Sequence, residues 1–373
     1  MIRKYMRGVG ILLLGLATLT LFMFLQNLIV ENNNSEPTKT VKPMEKDLYN
    51  GYGLPLEQDL STEIIYQENG IVVYTDRLFR LFEYKEDNIS RTARMMGELR
   101  KRLPKSITLS VMPIPLRGTI VETYGDQQQK YSDYLYRLGK ELTDDVNLID
   151  VAPTLNAHRE EYIYFRAEDS WTARGAYYAA VEAAKKIGIE PISLESYDEH
   201  MYKHFIGSFR QESELLLKQG TDEYDKMTSI PDDMTYYYLL PNGNNQTEIW
   251  KSVAGKSATS KSPTITKSGI GTDTFVGDTS FEWAVVEGDK KSDEKKDASL
   301  LLISDNNGQI LAPYFANYYK SVVVVNINKY GNFANNLDSF IQKYQITDVV
   351  FAQKANNMGN SSVSRAINPL IAE

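Results

Sequence analysis

From about residue 70 to 190, and again from about 299 to 351, short apolar runs alternate with longer amphipathic stretches, and this alternation restricts the fold more than any other feature. Ile71 to Tyr74, Ile107 to Met112, Val146 to Ile149 and Tyr162 to Phe165 predict buried strands. Ser90 to Arg102 and Tyr131 to Leu142 carry apolar residues at helical spacing. Thr172 to Ile187 predicts a third helix, stopped by Gly188. The second stretch predicts strand Ser299 to Ile303, a turn at Ser304 to Gly308, helix Gln309 to Tyr319, strand Ser321 to Asn326, helix Phe333 to Tyr344 and strand Thr347 to Phe351. Beta-alpha alternation of this kind implies an α/β fold, a mainly parallel sheet with helices on both faces. Such sheets take ligands beyond the carboxyl ends of their strands.

The alternation breaks between about residues 208 and 297. Tyr236 to Leu240 and Phe281 to Val286 read as strands there, and Lys251 to Gly271, rich in Ser, Thr, Lys and Gly, predicts an exposed hairpin or loop. The expectation is one outer domain, residues 48–373, carrying a β-rich insertion.

The amino end sets the compartment. Arg3, Lys4 and Arg7 precede an apolar run from Val9 to Leu25 that resumes at Leu28 to Val30, and no further cation follows until Lys39. An apolar segment of roughly 20 residues crosses a bilayer as one helix, and cations stay on the cytoplasmic side. Residues 1–30 are therefore expected to be a cytoplasmic tip and transmembrane anchor in contact with membrane lipid, residues 31–47 a linker, and the rest extracytoplasmic. A cleaved signal peptide shares the basic start and apolar stretch, but no small-x-small site follows Val30. The absence of cysteine excludes disulfides, thiolate nucleophiles and cysteine-held metals, which suits an exported bacterial protein. A net charge of -8, without basic clusters interleaved with aromatics, excludes a nucleic-acid partner.

Several short motifs have bland readings. Val253-Ala254-Gly255-Lys256-Ser257 invites a phosphate loop, but the place of its first glycine holds Trp250 and no helical pattern follows. Phe275 to Ser280 resembles a hydrolase Gly-Asp-Ser turn, yet Thr279 stands in the serine place. His158, His200 and His204 lack metal-site spacing, so no metal and no organic cofactor is expected.

Two blocks are more specific. Phe165-Arg166-Ala167-Glu168-Asp169-Ser170-Trp171-Thr172, followed by Gly175, Ala176, Tyr177 and Tyr178, resembles the Tyr-Arg-Thr-Asp-His-His-Trp-Thr signature of the DHHW family. Leu301 to Gly308, followed by Leu311, Pro313, Tyr314 and Phe315, is similar to that family's second block, a strand ending in Asp-Ser-Tyr. Phe205, Gly207 and Ser208 resemble its Phe-x-Gly-Ser step, and Phe275 to Gly277 its Phe-Leu-Gly-Gly turn. The family is similar to the alginate O-acetyltransferase-like branch of the SGNH-hydrolase superfamily, which implies an SGNH-like, flavodoxin-like sheet. It also implies a serine nucleophile on a strand-to-helix turn, a histidine base, and an aspartate two residues before the histidine.

In this sequence the nucleophile position falls on Asn306, the base position on Ser170, and the orienting carboxylate on Glu168. A carboxamide has no hydroxyl to activate, and a serine accepts no proton near neutral pH. The resemblance thus implies an SGNH-like domain of cell-envelope polysaccharide modification that binds or scaffolds without acyl transfer. Its partners are an exported polysaccharide and a membrane-bound O-acyltransferase. Trp171, Gly277, Asp305, Asn306 and Asn307, with Glu168, are the cleft and glycan-binding candidates. Two alternatives stand beside it. One is an active enzyme in which Ser304 and His204 form a displaced pair; the other is a structural partner that docks through the Lys251 to Gly271 loop.

Overall fold

The computed structural model describes residues 60–205, 207–209, 217–228, 230, 232–239, 248–253, 256–265, 271–276, 281–287, 295–331 and 333–367. The expected anchor and linker lie outside these residues. Among the described residues no helix is long and apolar enough to cross a membrane.

The chain enters through a small antiparallel sheet, β1 (Ile64–Glu68), β2 (Ile71–Tyr74) and β3 (Leu78–Arg80). Ile71 to Tyr74 is thus a strand, as the sequence predicts, but outside the parallel sheet. The reason is the Asn69-Gly70 pair: both residues have positive φ, which makes a tight hairpin back onto β1. Helix α1 (Glu86–Arg102) follows, with Glu86 and Asp87 in its first turn and Arg100, Lys101 and Arg102 in its last, each end complementing the helix dipole. Then come β4 (Thr108–Ile114), α2 (Gln127–Glu141), the two-residue β5 (Asn147–Leu148) and α3 (Ala173–Ile187). The inserted region contributes β7 (Asp232–Leu239), which pairs with β6 (Tyr197–Phe205), and then β8 (Glu248–Val253), β9 (Lys256–Pro263) and β10 (Trp283–Glu287). Then follow β11 (Ser299–Ser304), two four-residue helices α4 (Asn306–Gln309) and α5 (Ala312–Phe315), β12 (Ser321–Asn326), α6 (Phe333–Tyr344), β13 (Ile346–Lys354) and a last described helix, Ser361–Ile367.

One sheet of eight strands runs in the order β5-β4-β13-β11-β12-β10-β8-β9. The first five are mutually parallel, and β10, β8 and β9 continue the sheet antiparallel. All six residues of β11 and of β12 are buried, as a strand covered on both faces requires. Alternate residues divide between two cores. Leu300, Leu302, Val322 and Val324 face one side with the alanines of α3; Leu301, Ile303, Val323 and Val325 face the other with Met96 and Leu99 of α1 and Phe340 of α6. The fold is α/β with a mainly parallel central sheet.

Two local expectations change. Tyr162 to Phe165 is extended, but its backbone is bonded locally and not to the sheet: Thr172 donates its N–H to the Ile163 carbonyl, and Phe165 donates its N–H to the Ser170 carbonyl. The turn expected at Ser304 to Gly308 holds the short helix α4, and the helix expected over Gln309 to Tyr319 shortens to α5, with Pro313 in its first turn, where its missing N–H costs nothing. The hairpin or loop expected over Lys251 to Gly271 is a hairpin, β8 paired with β9 and joined through β8 to the central sheet, so Lys256 and Ser257 begin a strand where a phosphate loop needs a helix.

Candidate functional site

At the carboxyl end of β11 the chain must turn, and Asp305 makes the turn. Its Oδ1 accepts from the N–H groups of Asn307 and Gly308, capping α4, while its Oδ2 accepts from the Lys354 N–H at the end of β13, 2.9 Å away. Gly308 is required here: a Cβ would stand 2.5 Å from the Ala352 carbonyl oxygen and 2.7 Å from the Ser304 Cβ. Asn306, on the turn itself, is exposed, and its Oδ1 accepts from Asn326 Nδ2 at 3.1 Å.

The block leading into α3 meets this turn. Trp171 Nε1 donates to the Asn307 carbonyl at 3.0 Å, and Asn307 Nδ2 donates to the Asp169 carbonyl at 3.1 Å. Thr172 caps α3, accepting from the Gly175 N–H. Two segments more than a hundred residues apart are thereby latched at the ligand-binding edge of the sheet. Trp171, Asp305 and Asn307 are buried and act as its frame. Asn306 and Glu168 are the members with surface to offer.

Glu168 is tied to the start of the insertion. Its Oε2 accepts from the Ser208 N–H at 2.6 Å and its Oε1 from the Ser208 hydroxyl at 2.8 Å. Gly207 permits this approach, since a Cβ there would fall 1.8 Å from the Ala167 carbonyl oxygen. Burial raises the Glu168 carboxyl above its usual range, against the Ser208 hydrogen bonds, which favour its charged form. Ser170, which the sequence resemblance sets at the base position, is buried and donates its hydroxyl to the Trp171 carbonyl.

Lys354 sequence reasoning missed. Its ammonium lies 2.7 Å from Asp169 Oδ2, and Arg80 stands 3.5 Å from the same oxygen. Burial alone would lower the Lys354 ammonium, but the Asp169 and Asp305 carboxylates hold it above the ordinary lysine range, so it stays a cation. The available signal was a cation one residue beyond the apolar run Val349 to Ala352, at the sheet edge where ligands bind. Leu78, Phe79, Leu116, Tyr164, Trp171 and Phe209 add apolar walls to a cleft that Glu168, Asp169, Asn307 and Lys354 line with polar atoms.

The displaced pair fares as follows. Ser304 has no exposed surface, and its Oγ, with no hydrogen-bond partner, lies beneath Gly308. His204 falls in β6, with its side chain outside the described residues, as is Gly277 entirely. His158 pairs with Glu161 at 2.6 Å and stacks on Tyr178; His200 pairs with Asp198 and stacks on Tyr236. Neither ring lines the cleft.

A profile of the family described as "DHHW protein" matches residues 117–325, more than half of the chain. The chain belongs to the DHHW family. Among solved structures it is similar to a DHHW family protein from Eubacterium siraeum, with 21% identity, a TM-score of 0.67, and coverage of 82% of this chain and 98% of that one. It is also similar to Bacillus cereus PatB1, with 16% identity, a TM-score of 0.62, and coverage of 79% of this chain and 98% of that one. PatB1 has a second structure, with a sulfonyl adduct, at 15% identity and a TM-score of 0.58 over 79% of this chain and 97% of that one. At these identities the likeness is one of fold. A search of curated proteins finds no match.

Proposed function

We propose that this DHHW protein is a membrane-anchored, extracytoplasmic module of envelope polysaccharide O-acetylation, one that binds glycan at the cleft without a Ser–His acyl-transfer triad. Family membership and the resemblance to the O-acetyltransferase-like branch supply the setting. One observation carries the reading: the two blocks that the fold latches together present Asn306 and Ser170 where nucleophile and base would stand. The exposed Asn306 carboxamide cannot attack an acyl carbon, but it can donate to and accept from sugar hydroxyls. Glu168, Asp169 and Lys354 add charged groups to the cleft lined by its neighbour Asn307. Sites of this kind bind by a few placed polar groups on an apolar frame.

Calorimetric titration of the protein with acetylated and deacetylated envelope oligosaccharides tests the reading. Asn306→Ala should weaken binding about threefold to tenfold, the worth of one neutral hydrogen bond. Steady-state release of acetate from acetylated glycan should be absent from the wild type. Sustained turnover abolished by Asn306→Ala overturns the reading.

A further inference from the structure

The hydroxyls around the cleft differ in what they are aimed at. Ser170 spends its proton on the Trp171 carbonyl, Thr172 on the Tyr162 carbonyl and Tyr164 on the Pro115 carbonyl, and Ser304 is sealed beneath Gly308. Ser208 is the exception among these. It is exposed, and its Oγ lies 2.8 Å from Glu168 Oε1, within proton-transfer distance of a carboxylate. Its backbone N–H is held 2.6 Å from the other oxygen of the same carboxylate, so the residue is clamped at two points and its hydroxyl is fixed on the acceptor. Glu168, its hydrogen-bond partner, and Phe209, the next residue in the chain, both line the cleft, which places Ser208 at the rim. Arg80 stands over the Phe209 ring at 5.6 Å and brings a cation to the same rim.

We infer that Ser208 is an acyl-acceptor site, with Glu168 as its base, where the protein takes one acyl group from an ester and holds it. The step balances without a co-reactant. The Ser208 oxygen forms a bond to the acyl carbon while its proton passes to Glu168. The bond from that carbon to the departing alkoxide breaks, and the proton moves from Glu168 to the alkoxide, leaving an O-acyl serine and a free alcohol. The burial that raises the Glu168 carboxyl also strengthens it as a base. With no imidazole lining the cleft among the described residues to activate water, the ester is retained and available to a glycan hydroxyl. The inference rests on reading the cleft as a place where acyl-bearing glycan is met.

The test uses the full chain and p-nitrophenyl acetate as the probe, followed by intact mass and peptide mapping. One acetyl group should appear on Ser208, be absent in Ser208→Ala, and form about a hundredfold more slowly in Glu168→Gln, the low end of a general-base contribution. Thermal melting of each variant separates loss of the acceptor from loss of the fold. As a second measurement, the wild-type acetylation rate should rise with pH as Glu168 ionises. No adduct on Ser208 in folded wild type, or an unchanged rate in Glu168→Gln, overturns the inference. The glycan titration above is independent: binding without an adduct sinks this inference alone, and an adduct without binding sinks the glycan reading alone.

Discussion

Asp232 is a carboxyl without exposed surface, and it accepts hydrogen bonds from the N–H groups of Arg166 at 2.9 Å and Ala167 at 2.5 Å and from the Tyr162 hydroxyl. It thus holds, from the insertion, the backbone that runs directly into Glu168, Asp169 and Ser170. Burial pushes its pKa up to about 7, against these hydrogen bonds, which favour the charged form. An unfolded aspartate releases its proton near 3.8. Between those values the folded chain binds more protons than the unfolded one, so this residue's contribution to stability falls as pH rises through the window and is level above it. The change across the window is on the order of 4 kcal/mol. Asp232→Asn should remove the slope, and urea titrations of wild type and variant at several pH values read it directly. A difference between them that stays flat from about pH 4 to about pH 7 rejects the assignment. Asn306 and Ser170 were readable beforehand because each sits inside a contiguous block. Lys354 and Asp232 were not, and Ser208 was readable only as a step of the family pattern and not as a partner of Glu168, because each meets the site across a separation that only the folded chain closes.

At the scale of elements, legibility followed the length and purity of the pattern. Ser321 to Asn326 and Phe333 to Tyr344 fall at the predicted bounds because one is an unbroken β-branched run and the other a clean helical repeat. Tyr162 to Phe165 misled because a run of four apolar residues fits a local turn as well as a strand. The β8–β9 segment was left open between hairpin and loop, because its Ser, Thr and Lys residues suit the edge of a sheet as much as a loop. Glycines separate by the same local logic. Gly308→Ala would force β11, α4 and β13 apart at their tightest contact, with the Ala352 carbonyl oxygen 2.5 Å from the added atom. A loss of about 3 kcal/mol or more is expected. Gly97, inside α1, has nothing within 4 Å of an added Cβ, so Gly97→Ala should raise stability by about 0.5 to 1 kcal/mol. Chemical denaturation of the two variants should move the midpoint in opposite directions. A shift of the same sign would mean that the close approach at Gly308 does not hold α4 in place.

For the whole molecule, the polarity of the amino end bears on the proposed placement of the domain outside the cell. Three cations precede the apolar stretch and none follows it until Lys39. Because cations resist translocation while the apolar run partitions into the bilayer, the orientation with Arg3, Lys4 and Arg7 inside is favoured, and it carries everything after Glu31 outward. A helix of roughly 20 apolar residues is bound irreversibly, which a cleaved leader is not. The full chain should therefore stay with membranes through alkaline carbonate extraction. In spheroplasts, external protease should digest a tag at the carboxyl end while sparing one at the amino end. Changing Arg3, Lys4 and Arg7 to Gln should scramble that protection, with an increased fraction of chains inverted or left uninserted, because the charge difference that sets orientation is gone. Recovery of a soluble form shortened by the whole apolar segment would replace the anchor with a cleaved signal. The glycan-facing edge of the sheet would then act free of the membrane, with no fixed tie to a membrane-bound acyltransferase.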